Sequence, residues 1–322
     1  YEIRLSLVGS EMCIRDRKKK LFTASLIWFS SHMVTAQSSI DLFTFSGFYG
    51  SPSSYQASPG GKATESGTLL NLKVPVVLSE KTIWYNDFTH TLFNIDTDLS
   101  PGPSLMLTSM GLHAFILQTG IAQKLNDRNG FQLLLVPRYN SDMKGSTDGR
   151  WQFGMVGLYE HRQNDKLLWR FGALYNQELF GPLLVPLVYI DYQLSDRWSI
   201  VGLAPINLKV NYKINDRFTT GFSHFAFITT YRIGQDPFRT DYIERNSIDE
   251  SIFLRWKMVG NFHVETRIGY SLGRIYEQYA SDQKMDFRLS LVRFGDERVK
   301  ENMSFGNGAI ASLRVVYNLP LK

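Results

Sequence analysis

Between Leu208 and Ile214 the chain alternates strictly. Leu208, Val210, Tyr212 and Ile214 fall on one side, and Lys209, Asn211 and Lys213 on the other. Strand side chains have a period of two, so this segment is a strand with an apolar, aromatic-bearing face and a charged one. Such a strand needs apolar surroundings on one side and water on the other. The wall of a transmembrane β-barrel supplies both, with lipid outside and a wet lumen inside. After the turn Asn215-Asp216-Arg217, Phe218 restarts the pattern.

The same reading extends over most of the chain. Candidate strands cover residues 41–49, 68–78, 82–93, 112–124, 131–140, 151–161, 167–176, 183–194, 198–203, 208–214, 218–231, 250–257, 262–276, 285–293 and 311–319. Short connections place Asn, Asp or Ser beside a base, as in Asn126-Asp127-Arg128, Asn164-Asp165-Lys166 and Ser195-Asp196-Arg197. Asn and Asp make such turns because they bond their own backbone and tolerate left-handed dihedrals. Longer polar connections at 50–67, 94–109, 141–150, 177–182 and 234–249 alternate with the short ones. Tight turns at one end and long loops at the other are the habit of outer-membrane barrels, whereas a soluble β-sandwich has no reason to sort its connections. The expected fold is therefore all-β, a transmembrane antiparallel up-and-down barrel. Single-chain bacterial barrels have even strand numbers, so one of the fifteen candidates does not span. Residues 285–293 are the expected exception, leaving about fourteen strands, with twelve as the alternative. Residues 198–203 and 208–214 are short for spanning strands, which need about 9–11 residues, so they either extend or form a truncated hairpin. Pro75, Pro137 and Pro186 fall inside proposed strands, where each removes a ladder donor.

Ahead of the barrel, residues 1–17 lack an initiator Met, and SLVGSEMCIRDR looks like translated read-through of a sequencing adapter. Residues 18–36 follow the order of a secretory signal peptide: three lysines, a short apolar run, then Val34-Thr35-Ala36. The apolar run is about ten residues, against the ~20 a helix needs to span a bilayer. Residues 37–322 are the expected mature barrel. Its 29 bases and 27 acids give no basis for nucleic-acid binding, because most of the formal +5 belongs to the leader. The single cysteine, Cys13, also lies in the leader, so the barrel has neither a disulfide framework nor a thiolate metal site.

Several features together carry a resemblance: the Val-Thr-Ala-Gln junction at 34–37, the Ser/Asn-Asp-Arg turns each followed by Trp or Phe, Pro205 with the Leu208–Ile214 strand, and Leu289-Ser-Leu-Val-Arg-Phe-Gly-Asp296. The chain resembles a family of Gram-negative outer-membrane β-barrel proteins of unknown function. That resemblance implies the bacterial outer membrane, reached by export, and outer-membrane lipid as a partner. It brings no activity and no catalytic residues.

Inward-facing candidates follow from the alternation: Lys209, Asn211, Lys213, Arg255, Lys257, His263, Glu265, Arg267 and Arg314. His263, Glu265 and Arg267 lie on one strand face about 7 Å apart. They read either as a charged constriction or as an ionic network filling the barrel, since lumen charges tune selectivity. A metal site lacks a third ligand there, and neither metal nor cofactor is expected. Ser223-His224 invites comparison with a hydrolase dyad, but neighbouring strand residues face opposite sides. No catalytic residues are expected, and there is no Gly-x-Ser-x-Gly elbow, phosphate loop or His-Glu-x-x-His. Trp84, Trp151, Trp169, Trp198 and Trp256 lie near strand ends and read as interface girdles in preference to a sugar platform. The functional expectation is a porin-like channel for small polar solutes with a basic and polar lumen. Its alternatives are a closed structural or surface-interaction barrel and, further off, a lipid hydrolase.

Overall fold

The computed structural model describes residues 39–55, 61–98, 109–146, 148–302 and 305–320. The leader, the export signal and its cleavage site lie outside the described residues. The strands are β1 (Ser39–Ser54), β2 (Lys62–Lys73), β3 (Val76–Ser79), β4 (Thr82–Thr97), β5 (Met110–Lys124), β6 (Asn129–Ser141), β7 (Trp151–Asn164), β8 (Leu167–Glu178) and β9 (Gly181–Gln193). There follow β10 (Trp198–Ala204), β11 (Asn207–Lys213), β12 (Phe218–Arg232), β13 (Tyr242–Val259), β14 (Phe262–Tyr279), β15 (Phe287–Leu289), β16 (Val292–Phe294) and β17 (Gly308–Pro320).

Each long strand pairs antiparallel with its neighbours, and the ring closes where β1 meets β17, from Ser39↔Pro320 to Gly50↔Ile310. With β3, β15 and β16 set aside, fourteen strands form the wall. Register assigns the faces. On β13, Ile252, Leu254 and Trp256 point outward and are exposed, while Ser251 and Phe253 point inward and are buried. Ile252 and Ile268, partners across β13 and β14, are 67% and 68% exposed. Large apolar side chains left bare in this way over the whole outer wall require a partner solvent that is not water.

One end of the barrel is built from Asx and Ser turns. Asn126 Oδ1 accepts from the backbone N–H of Arg128 at 3.0 Å and of Asn129 at 2.9 Å. Asn215 Oδ1 repeats this with Arg217 and Phe218, both at 2.9 Å, and Ser195 Oγ accepts from Trp198 N–H at 3.1 Å. Aromatic residues ring this end on the outside, with Trp198 against Tyr212 at 4.8 Å and Phe262 against Tyr317 at 5.0 Å. Trp151 and Tyr139, 5.3 Å apart, belong to the opposite rim.

Three sequence expectations change. The candidate at 68–78 is two pieces, because Pro75 cannot donate and the chain breaks between β2 and β3. The 50–67 connection is mostly strand, since β1 runs on to Ser54 and β2 starts at Lys62. Residues 177–182 are a tight turn, with β8 and β9 paired up to Glu178↔Gly181. Of the two readings for 198–203 and 208–214 the structure has the truncated hairpin: β10 and β11 have seven residues each, joined across Pro205-Ile206. Pro137 and Pro186 remain inside β6 and β9, while residues 285–293 yield only the short β15 and the start of β16.

Candidate functional site

The inner face carries two different chemistries. On β11, β13, β14 and β17, Glu265 is fully buried and receives four cations: Arg255 and Arg267 at 2.7 Å, Lys209 at 2.8 Å and Arg314 at 3.0 Å. Arg255 also reaches Asp41 at 2.9 Å, which Asn318 bonds at 2.7 Å. Five of the nine inward candidates thus form one cluster, four cations on the Glu265 carboxylate. The other four stand apart. Asn211 bonds Ser199 at 3.2 Å, and Lys213 pairs with Asp216 in the exposed turn at 2.7 Å. His263 bonds the Asn261 carbonyl at 3.1 Å, and Lys257 is exposed at the same rim. Asp41 escapes sequence reasoning because it precedes a register shift in β1 that breaks the alternation.

Toward the long-loop end the same side of the barrel is filled. Arg245 lies 3.9 Å over the Phe93 ring, donates to Glu65 at 2.8 Å and to the Tyr276 hydroxyl at 2.8 Å. Arg274 is brought into this group by a bulge at Gly273, whose φ of +57° lies in the left-handed region. Phe48, Tyr231 and Phe305 pack around them.

The short β10–β11 hairpin creates a second space. Its pairing with β9 stops at Ala204↔Val188, and that with β12 at Asn207↔Phe225. Beyond those points β9 and β12 each continue with an edge that has lost its neighbour, and an open edge bare against lipid is costly. The upper part of β12 answers by leaning across to β6, where Arg232 pairs with Ser141. Asn140 and Gln152 donate to the Thr230 carbonyl at 3.2 and 3.0 Å. Glu178, held by Arg138 at 2.7 Å, accepts from the Thr230 N–H at 3.1 Å and its hydroxyl at 2.7 Å. The free edge of β9 instead receives β15, through Arg288↔Leu183, Leu289↔Leu184 and a Ser290 N–H to Leu184 carbonyl bond of 2.9 Å.

The β15–β16 hairpin is held from the other side by one acid. Glu244 of β13, fully buried, binds Arg288 at 2.6 Å and both Arg293 and Arg298 at 2.9 Å. Asp296, on the loop after β16, accepts from Arg298 at 2.7 Å. The bond from that guanidinium holds the Asp296 carboxyl below its ordinary range.

Between the leaning β12 and the arc β5–β9 lies a cavity of about 1500 Å³. Its upper walls are apolar: Ile116, Leu134, Val136, Val156, Leu158, Leu174, Leu183, Val185 and Leu187. Lower down it meets Asp87, Asp191 and the Arg170–Glu160 pair, 2.7 Å apart, and it opens among the turn residues Lys81, Asp127, Arg128 and Asp165. Lys209, Arg255, Glu265, Arg267 and Arg314 do not line it. These inward candidates therefore gather four cations on Glu265 and Asp41, beside a cavity whose upper walls are mostly apolar. Over Leu133–Val136 of β6 and Leu183–Val188 of β9 both faces are apolar, so alternation gives little signal there, whereas β8, β11, β13 and β14 show a polar face.

Ser223 and His224 point to opposite faces, as their adjacency on β12 requires. His224 sits outside, bonded to Glu250 at 2.6 Å and to the Pro205 carbonyl at 2.8 Å, and the pair forms no dyad. Among the described residues no three His, Cys, Asp or Glu side chains are grouped to hold a metal ion.

A closed fourteen-stranded antiparallel barrel with a cavity to one side of its lumen is the class of structure these residues define. The chain belongs to the DUF6268 family, a domain of unknown function, with the match covering residues 116–291. No curated protein matches it significantly. Among solved structures it is similar to an outer membrane channel from Pseudomonas putida F1, with TM-score 0.43, 10% identity, and coverage of 88% of this chain and 99% of that one. The toluene transporter TodX of P. putida aligns at TM-score 0.35 and 11% identity over 91% and 93% of the two chains. The translocator domain of the autotransporter NalP from Neisseria meningitidis aligns at TM-score 0.36 and 10% identity over 92% of each.

Proposed function

We propose that this protein is an outer-membrane channel, closed at rest, whose cavity holds a small solute on its way across the membrane. The observation that carries this reading is the cavity itself, open among the short turns and capped above by Glu178, Thr230 and the β15–β16 hairpin. The bare apolar outer wall supports placement in a membrane, and the short-turn end is the periplasmic one by the ordinary sorting of connections. The Glu265 cluster and the Arg245, Phe93 and Tyr276 group occupy the inner face beside the cavity, which supports a barrel closed to ions at rest. In planar bilayers the intact protein is expected to be nearly silent at low voltage. Replacing residues 286–294 by a Gly-Ser linker should produce steady open steps, because it unroofs the cavity. Continued silence of a correctly folded deletion variant would contradict a passage and leave a closed structural barrel.

A further inference from the structure

A cavity inside a continuous barrel wall touches only inward-pointing side chains, but this one touches both faces. From β9 it takes the inward Leu183, Val185 and Leu187, and from β12 and β13 the outward His224, Ala226, Ile228 and Ile248. It therefore passes through the wall. The place is fixed by two hairpin tips that face each other. Leu203, Pro205, Ile206 and Asn207 of the β10–β11 tip line it from below. Ser290 and Leu291 of the β15–β16 tip line it from above, because β15 runs parallel to β9 toward the short-turn end. Between the tips no backbone pairing joins β9 to β12. Leu291 and Val292 are 61% and 54% exposed beside this seam, continuing the apolar outer surface of the barrel.

We infer that the seam is a lateral portal through which a single-tailed amphiphile dissolved in the bilayer enters the cavity, with the β15–β16 hairpin as its gate. This rests on the channel reading and adds the route and the substrate class. A molecule arriving from lipid meets Ile228, Ile248 and Leu291, which suit its tail, beside His224 and the gate arginines Arg288 and Arg293. The Arg170–Glu160 pair, Asp87 and Asp191 lie farther on, toward the watery mouth, where a polar end finds hydrogen bonds. The gate is held to β9 by a few backbone bonds and to β13 by arginine–Glu244 pairs, so it can leave without unfolding any spanning strand.

The test uses the full chain with Cys13→Ser, reconstituted in phosphatidylcholine vesicles containing a diazirine-bearing palmitate. After irradiation, label should map by mass spectrometry to peptides carrying Leu183–Leu187 and Ala226–Ile228, as well as to the outer belt. Leu184→Cys with Leu289→Cys joins two residues paired across the gate; such partners lie about 4.8 Å apart, within reach of a disulfide. In the oxidised form cavity label should vanish while belt label persists, and reduction should restore it. Ala226→Trp, which obstructs the passage without a cross-link, should lose the same label. Label confined to the belt in the unmodified chain, or cavity label that survives both closures, would overturn the portal. If belt-only label accompanies open steps in the hairpin-deleted protein, the channel stands and only its lateral route falls.

Discussion

At the scale of single residues, two buried glutamates organise opposite ends of the molecule. Glu265 sits buried among four cations, so removing its charge leaves them repelling one another. Breaking a buried ionic group by deleting one partner costs about 3–5 kcal/mol, and Glu265→Gln should lower unfolding stability in detergent by that order. Arg267→Ala, which removes one of four, should cost far less and should leave the hairpin-deleted channel's reversal potential unchanged, since Arg267 does not line the cavity. A large selectivity shift would return it to the conducting path. Glu244 gathers three arginines from the gate, so Glu244→Gln should make trypsin cut at Arg288, Arg293 and Arg298 in folded protein that otherwise resists it. Asp296 adds a pH dependence of known sign. Its carboxyl is held low by Arg298, so its contribution is complete above the ordinary carboxylate range and disappears as pH falls through its folded value. Acid should accordingly raise amide exchange in residues 285–298 before it affects β13. These roles were only half visible in the sequence. Glu265 was legible because its part of β14 alternates cleanly, while Glu244 falls in 234–249, which reads as a polar connection although β13 already begins at Tyr242.

At the scale of elements, the decisive feature is a length. Seven-residue β10 and β11 leave β9 and β12 without neighbours over their upper halves, and the leaning of β12, the docking of β15 and the cavity all follow. The sequence announces the shortness through Pro205 and the brief alternation, but not its consequence, because the compensating strand comes some eighty residues later. Turns were readable for a local reason: Asn126, Asn215 and Ser195 bond backbone only two or three residues away. The bulge in β14 was not readable, since one inserted residue resembles a lapse in pattern. Gly273 has φ +57° and nothing within 4 Å of where a Cβ would sit, so Gly273→Ala tests backbone strain alone. It should cost about 1–2 kcal/mol, the penalty of left-handed geometry for an L-residue, read from denaturant unfolding in detergent. A larger loss would mean that the bulge also fixes Arg274.

At the scale of the whole molecule, lipid must bathe one row of side chains while the adjacent row stays within the barrel. Strand number and the non-spanning status of 285–293 came from parity, an argument about closure that needs no residue detail. The apolar part of the cavity wall did not come through, because Leu133–Val136 of β6 and Leu183–Val188 of β9 are apolar on both faces and a period of two vanishes when both phases look alike. Single cysteines placed in turn at Ser251, Ile252, Phe253, Leu254, Arg255 and Trp256, in a Cys13→Ser background, would report the two environments by spin-label collision with oxygen and a nickel chelate in reconstituted vesicles. Labels at Ile252, Leu254 and Trp256 should be oxygen-accessible and shielded from nickel, and those at Ser251, Phe253 and Arg255 should not share that lipid signature. Six labels with the same profile, or a protein that stays dispersed in water with no detergent, would contradict a membrane-spanning barrel.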